Sequence, residues 1–213
     1  MVLSLSGGLD TRIIAGILAK HEINMISVSC GSYLENLISR KVASTLGFEH
    51  WICPKKDKFR ILTSKGIKYL LSGAFFDEVN GSWTGFKAKT YPDFAEAQIK
   101  GLKQRYTFVG NYYEKYNVPI YISPVLHGKV LIALESIPYQ KRIGKKIQRY
   151  ILEEKFPRLW NIPYYNSLLP NSCPFQFHRF SSFFHFHSNW LQLFKKIGKN
   201  EHVKKHVYIK ILI

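Results

Sequence analysis

The sequence predicts an α/β fold, a parallel sheet flanked by helices and followed by a helical C-terminal half. Three observations carry that prediction. Short apolar runs alternate with amphipathic stretches over the first third of the chain. The connections between them are tight, as they are when strands are joined through covering helices. Beyond residue 94 the apolar positions fall at helical spacing, punctuated by Pro119, Pro124, Pro138 and Pro157.

Residues 2–5 read as a buried strand, and residues 11–20 carry Ile13, Ile14, Ile17 and Leu18 at helical spacing. Residues 25–30 are strand-like, and Gly31 breaks them. Residues 34–46 repeat the helical spacing through Leu37, Ile38, Val42 and Leu46, stopping at Gly47, which suits a left-handed cap. Residues 50–53 read as a third strand before Pro54, and residues 69–71 as a fourth. Helices are expected over 94–102, 129–136 and 144–156. From about Pro170 the chain is rich in Phe, His and Lys with no clean period. The reading therefore divides the chain into a domain over 1–170 and a basic aromatic tail over 171–213.

With 213 residues the chain can bury one good-sized core. Its 46% hydrophobic and 15% aromatic content excludes global disorder. Lys and Arg outnumber Asp and Glu by 31 to 14, a formal charge of +17, which favours anionic partners. The lysines are dispersed without a long basic block, so nucleic acid stays open as a partner but is not the favoured one. Cys30, Cys53 and Cys173 are too scattered for a zinc site or a disulfide framework. No apolar run reaches membrane-span length and the apolar start lacks a basic leader, so no membrane partner and a cytoplasmic location are expected.

The chemistry concentrates in Ser6-Gly7-Gly8-Leu9-Asp10-Thr11, between the first strand and the first helix. Glycines let the backbone approach an oxyanion, and the N–H groups of a helix start point at it. Ser6 and Thr11 can add hydroxyl donors, and Asp10 can hold a Mg²⁺ that neutralises a polyphosphate. In an open parallel sheet, ligands bind beyond the carboxyl ends of the strands, where this turn lies. A second motif follows the fourth strand: Leu71-Ser72-Gly73-Ala74-Phe75-Phe76-Asp77-Glu78-Val79-Asn80-Gly81-Ser82-Trp83. Asp77 and Glu78 would stand at the same sheet edge. Adjacent carboxylates remain ionised at low cost only when a cation shares them, and Mg²⁺ between Asp10, Asp77, Glu78 and phosphate oxygens meets that need.

Residues 6–11 resemble the SGGxDS or SGGxDT pyrophosphate loop of the ATP pyrophosphatase, or PP-loop, superfamily. Residues 71–83 look like the LSGxGxDExxGGY segment of the asparagine synthetase family. Residues 40–50 are similar to that family's AxxVAxxLGxxH helix and strand, and 119–157 to its later strand and closing helices. The resemblance implies an adenine nucleotide alpha hydrolase-like fold that binds ATP and Mg²⁺. It further implies a ligase that adenylates a carboxylate, aspartate in that family, before ammonia displaces AMP. Carried over by position, Leu5, Ser6, Gly7, Gly8, Leu9, Asp10, Thr11, Val28, Ser29 and Gly73 would border the nucleotide. Asp10, Asp77 and Glu78 would hold the metal. Asp10, Asp77 and Arg149 would be catalytic, Arg149 standing where a lysine normally contacts the phosphates.

The departures set further expectations. Ala74 stands where the family usually has an acidic residue, and Glu153 where an Arg is common. The loop begins almost at the first residue and position two is Val2, so a glutaminase half with its N-terminal thiol is not expected. Ammonia would then come from solution or a separate subunit. The interval between His50 and Leu71 looks short by a helix, which would uncover one sheet face at ~25 cal/mol per Å² of apolar surface. Two rival readings remain: a PP-loop adenylating enzyme acting on tRNA, and a non-catalytic remnant or a subunit completed by another chain. His50, Trp83 and Tyr91 read as packing or rim residues, and His178, His185 and His187 as exposed histidines of the tail.

Overall fold

The computed structural model describes residues 1–80, 88–116 and 120–164. The expectations for Trp83 and for residues 171–213 lie outside these residues. Among the described residues, five strands form one parallel sheet: β1 Val2–Ser4, β2 Ser27–Ser29, β3 His50–Ile52, β4 Tyr69–Ser72 and β5 Ile120–Ile122. Their order is β3-β2-β1-β4-β5, so β1 is central, with Leu3 opposite both Ser27 and Leu71. Val2, Leu3, Val28 and Leu70 are fully buried, as a sheet covered on both faces requires.

The helices are α1 Leu9–Lys20, α2 Tyr33–Leu46, α3 Lys58–Ser64, α4 Phe76–Val79, α5 Tyr91–Tyr116, α6 Gly128–Glu135, α7 Tyr139–Arg142, α8 Lys146–Lys155 and α9 Pro157–Trp160. The fold is thus α/β with a helical C-terminal half. α2 has the cap chemistry its sequence implies. The Ser32 hydroxyl accepts the Glu35 N–H at 3.3 Å, and Gly47 closes the helix at φ +72°. On one face of the sheet, Leu3 and Leu5 pack with Ile13 and Ile14 of α1, Ile38 and Val42 of α2, and Leu152 of α8. The helical half is locked by Arg142, fully buried, which donates to Glu135 at 2.7 and 3.2 Å and lies 4.6 Å from the centre of the Phe94 ring.

The opposite face of the sheet is covered too. The interval between residues 50 and 71 holds α3, whose Leu62 closes on Val2, Val28, Cys53 and Leu70. A seven-residue helix spans two turns, too little for a 3.6-residue period to stand out, and Lys55-Lys56-Asp57-Lys58 masks its start. α5 also runs well beyond the expected 94–102. No helix among the described residues is long and apolar enough to cross a membrane.

The topology places the site. The chain moves outward from β1 through β2 to β3, then returns to the other side of β1 to form β4 and β5. Connections therefore leave β1 and β4 in opposite directions. That switch point opens a crevice at the carboxyl ends of these two strands.

A candidate nucleotide site at the switch point

β1 ends at Ser4 and α1 begins at Leu9, so the backbone must turn from sheet edge to helix start over residues 5–8. Hydroxyls brace the turn. Thr11 Oγ1 accepts the Ser6 N–H at 3.1 Å and lies 3.0 Å from Ser6 Oγ, which in turn accepts the Gly8 N–H at 3.1 Å. From the other side, Arg12 Nη2 donates to the Gly7 carbonyl at 3.1 Å. The peptide between Gly7 and Gly8 is thus held at both its carbonyl and its N–H. Ser6 and Thr11, expected to offer hydroxyls to an anion, spend them on each other. The donors left for an anion are the backbone N–H groups of the first turn of α1, where Gly8 supplies no side-chain cap.

Gly73 brings the second motif to the first. A Cβ at this position would lie 2.9 Å from the Thr11 nitrogen and 3.0 Å from Asp10 Cβ, so only glycine allows the β4 loop to rest on the start of α1. Lys145, at the entry to α8, closes the group. Its Nζ donates to Asp77 Oδ2 at 2.8 Å and lies 3.5 Å from Asp10 Oδ2. Gln148, fully buried, donates Nε2 to Asp10 Oδ1 at 3.2 Å. Two carboxylates from the first turns of separate helices, α1 and α4, therefore meet on one cation.

Burial pushes the Asp10 carboxyl up to about 6; Lys145 pulls against that rise and the Asp77 charge adds to it. Burial alone would lower Lys145, but Asp10, Tyr164 and Asp77 outweigh it and hold the ammonium above the ordinary lysine range. The sign for stability follows. Between pH 3.8 and about 6 the unfolded chain binds fewer protons at Asp10 than the folded one, so this group makes stability fall as pH rises. His50 acts oppositely. Burial, then Arg40, lowers its imidazole from 6.5 to about 4, so its contribution to stability is lost as pH falls from 6.5 to about 4. Asp10→Asn is expected to gain stability on the wild type as pH rises from about 4 to 7, and His50→Gln to lose the opposite trend. Urea melts of the three proteins across that range check both signs.

The expected Mg²⁺ and ATP can be tested against these residues. Mg²⁺ takes one or two carboxylates, leaving the rest of its octahedron to phosphate oxygens and water. Asp10 and Asp77 supply the two carboxylates, their like charges already drawn together around a positive group. Gln148 Oε1, buried and without a partner among the described residues, is a further hard oxygen beside them. The donor set fits a magnesium-bound polyphosphate. Glu78 does not join it: its Oε1 accepts from Arg105 Nε at 2.7 Å. Among the described residues no three His, Cys, Asp or Glu side chains cluster for a metal, so the carboxylates available are a pair.

Other expected residues lie as follows. Leu5 and Leu9 are core side chains, each 1% exposed, and can offer a ligand only backbone. Val28 is enclosed on the α3 face, and Ser29 Oγ lies 3.0 Å from His50 Nε2. Their carbonyls accept from the Leu5 and Cys53 N–H groups. His50 spends both ring nitrogens on Ser27 and Ser29. Tyr91 is a rim aromatic, packed with Phe94 and Tyr139. Arg149 is exposed, and the cation that reaches the carboxylates is Lys145, about one helical turn earlier.

Sequence reasoning missed Lys145, Gln148 and Arg12. For Lys145 a signal was present: Gly144 ahead of two lysines at a helix start. Both Gly144 and Lys145 are left-handed, at φ +68° and +61°, a conformation that costs a non-glycine residue about 1–3 kcal/mol. Phe75 is left-handed too, at φ +72°, where the LSGxGxDE pattern has its second glycine. Its ring is buried in the core at 6% exposure. Phe75→Gly is expected to relieve about 1 kcal/mol of backbone strain but lose about 3–5 kcal/mol of packing. A lower melting temperature checks that balance.

A scan against protein-family models finds no match to this chain, and a search of curated proteins finds none.

Proposed function

We propose that this chain is an ATP-dependent ligase of the asparagine synthetase type, which adenylates a carboxylate and forms an amide with ammonia. One observation supports the reading above others: Asp10 and Asp77, at the starts of the helices that follow β1 and β4, share a single cation at the switch point. Such an arrangement suits a triphosphate whose leaving group needs charge neutralisation, because reaction there depends chiefly on alignment and fixed charge.

In the proposed reaction a carboxylate oxygen attacks the α-phosphorus, and the bond from that phosphorus to the bridging oxygen of pyrophosphate breaks. Ammonia then adds to the acyl carbon, AMP leaves with the electrons of the C–O bond, and the nitrogen gives a proton to solvent. Mg²⁺ held by Asp10 and Asp77 would neutralise the departing pyrophosphate. The first-turn N–H groups of α1 orient phosphate oxygens, and Arg12 keeps the peptide at Gly7 in register for them. Lys145 keeps a positive charge beside both carboxylates.

A second reading, nucleotide binding without turnover, is favoured by Ala74, which cannot move a proton where the resembled pattern is acidic. ATP–pyrophosphate exchange, scanned over a panel of carboxylic acids that includes aspartate, separates the two. Exchange with at least one acid, dependent on Mg²⁺, is expected. ATP binding without exchange for any acid replaces the ligase reading with the second one.

A further inference from the structure

A cavity of about 230 Å³ lies between α3, α5 and the carboxyl ends of the strands, and nothing above uses it. It shares a wall with the nucleotide crevice. Ser72 and Ala74 line it, and Gly73 between them rests on Thr11 and Asp10. Lys55, Lys58 and Arg105 reach the cavity, and no lining residue is acidic. The Arg105 charge is balanced by Glu78 at 2.7 Å.

Lys58 is different. It is 6% exposed, and its Nζ donates to Ser4 Oγ at 2.9 Å and lies 5.7 Å from the centre of the Phe59 ring. The Cys30 and Cys53 thiols and, from beyond ion-pair distance, the Glu35 carboxylate act on its charge. It forms no ion pair among the described residues. A buried ammonium with no carboxylate at ion-pair distance is costly, and a carboxylate arriving in the cavity offsets that cost. Burial accordingly pushes the Lys58 ammonium down from its ordinary range.

The rest of the chamber has the opposite character. Phe59, Phe108 and Tyr121 line it, with the Phe59 and Tyr121 rings edge to face at 6.4 Å. Because Ser4 stands two residues before Ser6, the ammonium marks the end of the cavity nearest the phosphate loop. A ligand carboxylate would lie there, with its body among the rings. The volume falls below the roughly 300–1,000 Å³ typical of sites for larger ligands.

We propose that this cavity binds a small monocarboxylic acid with an apolar, ring-sized body, its carboxylate on Lys58. Aspartate fits poorly, since its second carboxylate and its ammonium would be stranded among aromatic rings. Binding stands on the cavity alone; that the bound acid is the one adenylated rests on the ligase reading.

Calorimetric titration of the full chain with benzoate, benzamide and aspartate tests the proposal. Benzoate is expected to bind at least about tenfold more tightly than either competitor, a difference of roughly 1.4 kcal/mol. Lys58→Met should reduce benzoate to the level of benzamide. Phe108→Asp, at an exposed position that tolerates the change, should weaken benzoate by placing a negative charge on its path. Saturating Mg²⁺-ATP should leave benzoate binding intact. Equal affinity for benzoate and benzamide, unchanged benzoate binding in both variants, or competition between benzoate and ATP would each overturn the proposal. Pyrophosphate exchange keeps the two claims apart. Benzoate bound through Lys58, with no acid supporting exchange, upholds the cavity's ligand class and removes the ligase reading. Exchange with aspartate, with no benzoate binding, does the reverse.

Discussion

Replacing Arg12 with methionine is expected to cost about 3–5 kcal/mol of stability, a large share of the roughly 5–15 kcal/mol that holds a domain folded. Arg12 is fully buried on α1 and donates to four carbonyls: Leu159 at 2.9 Å, Ile162 at 2.7 Å, Gly7 at 3.1 Å and Pro163 at 2.9 Å. It forms no ion pair among the described residues, so backbone dipoles chiefly compensate its burial, with Tyr164 acting in the same sense. That burial lowers its guanidinium to about 10, which still leaves it charged at neutral pH. Methionine fills similar space but strands these acceptors, each worth about 1–3 kcal/mol when buried without a donor. Arg12→Lys should recover little, because one ammonium cannot reproduce two forked donors. Urea unfolding measures the loss, and hydrogen exchange locates it at residues 157–163 and the phosphate loop. A variant within about 1 kcal/mol of the wild type would contradict this role for Arg12.

The second large effect falls on binding. Asp10→Asn is expected to weaken Mg²⁺-ATP binding by at least about a hundredfold, since even groups that only support a metal ligand are worth about 10–100-fold. Stability should move the other way. At pH 7 the folded chain holds Asp10 ionised although its carboxyl has risen from 3.8 to about 6, a cost on the order of 3 kcal/mol at about 1.4 kcal/mol per unit. Asparagine removes that charge, so the variant should melt no lower than the wild type at pH 7. By the same reasoning, wild-type affinity for Mg²⁺-ATP should climb as pH rises through about 6, because a protonated Asp10 is a poor metal ligand. A variant that binds normally, or one that loses binding only because it unfolds, would remove Asp10 from the metal site.

Much of this was legible in the chain because it is written locally. Residues 34–46 show their period over several turns, and the Gly47 cap follows from one residue type. The turn at residues 5–8 joins a strand to a helix contiguously, so its position could be read without a fold. What escaped depends on distance in sequence. Arg12 reads as the polar side of an amphipathic helix, and only the return of residues 159–163 turns that side inward. Lys145 escapes a local reading because which residue near a helix start faces Asp10 and Asp77 is settled by packing rather than by composition. Asp77 and Glu78 adjoin in sequence, yet neighbours on a helix point about 100° apart, and Arg105 of α5 pairs with Glu78. α3 was overlooked because its burial is supplied by the strands beneath it, with little signal of its own.

The central claim is that the β1 and β4 loops act on one metal-bound nucleotide. A double-mutant cycle tests it most directly: calorimetric Mg²⁺-ATP affinity of the wild type, Asp10→Asn, Asp77→Asn and the double variant. If one ion is shared, each single variant should lose most of the magnesium-dependent affinity and the double variant little more. Full, independent losses that add, or an Asp77→Asn variant that binds like the wild type, would show that the two carboxylates serve no common ion.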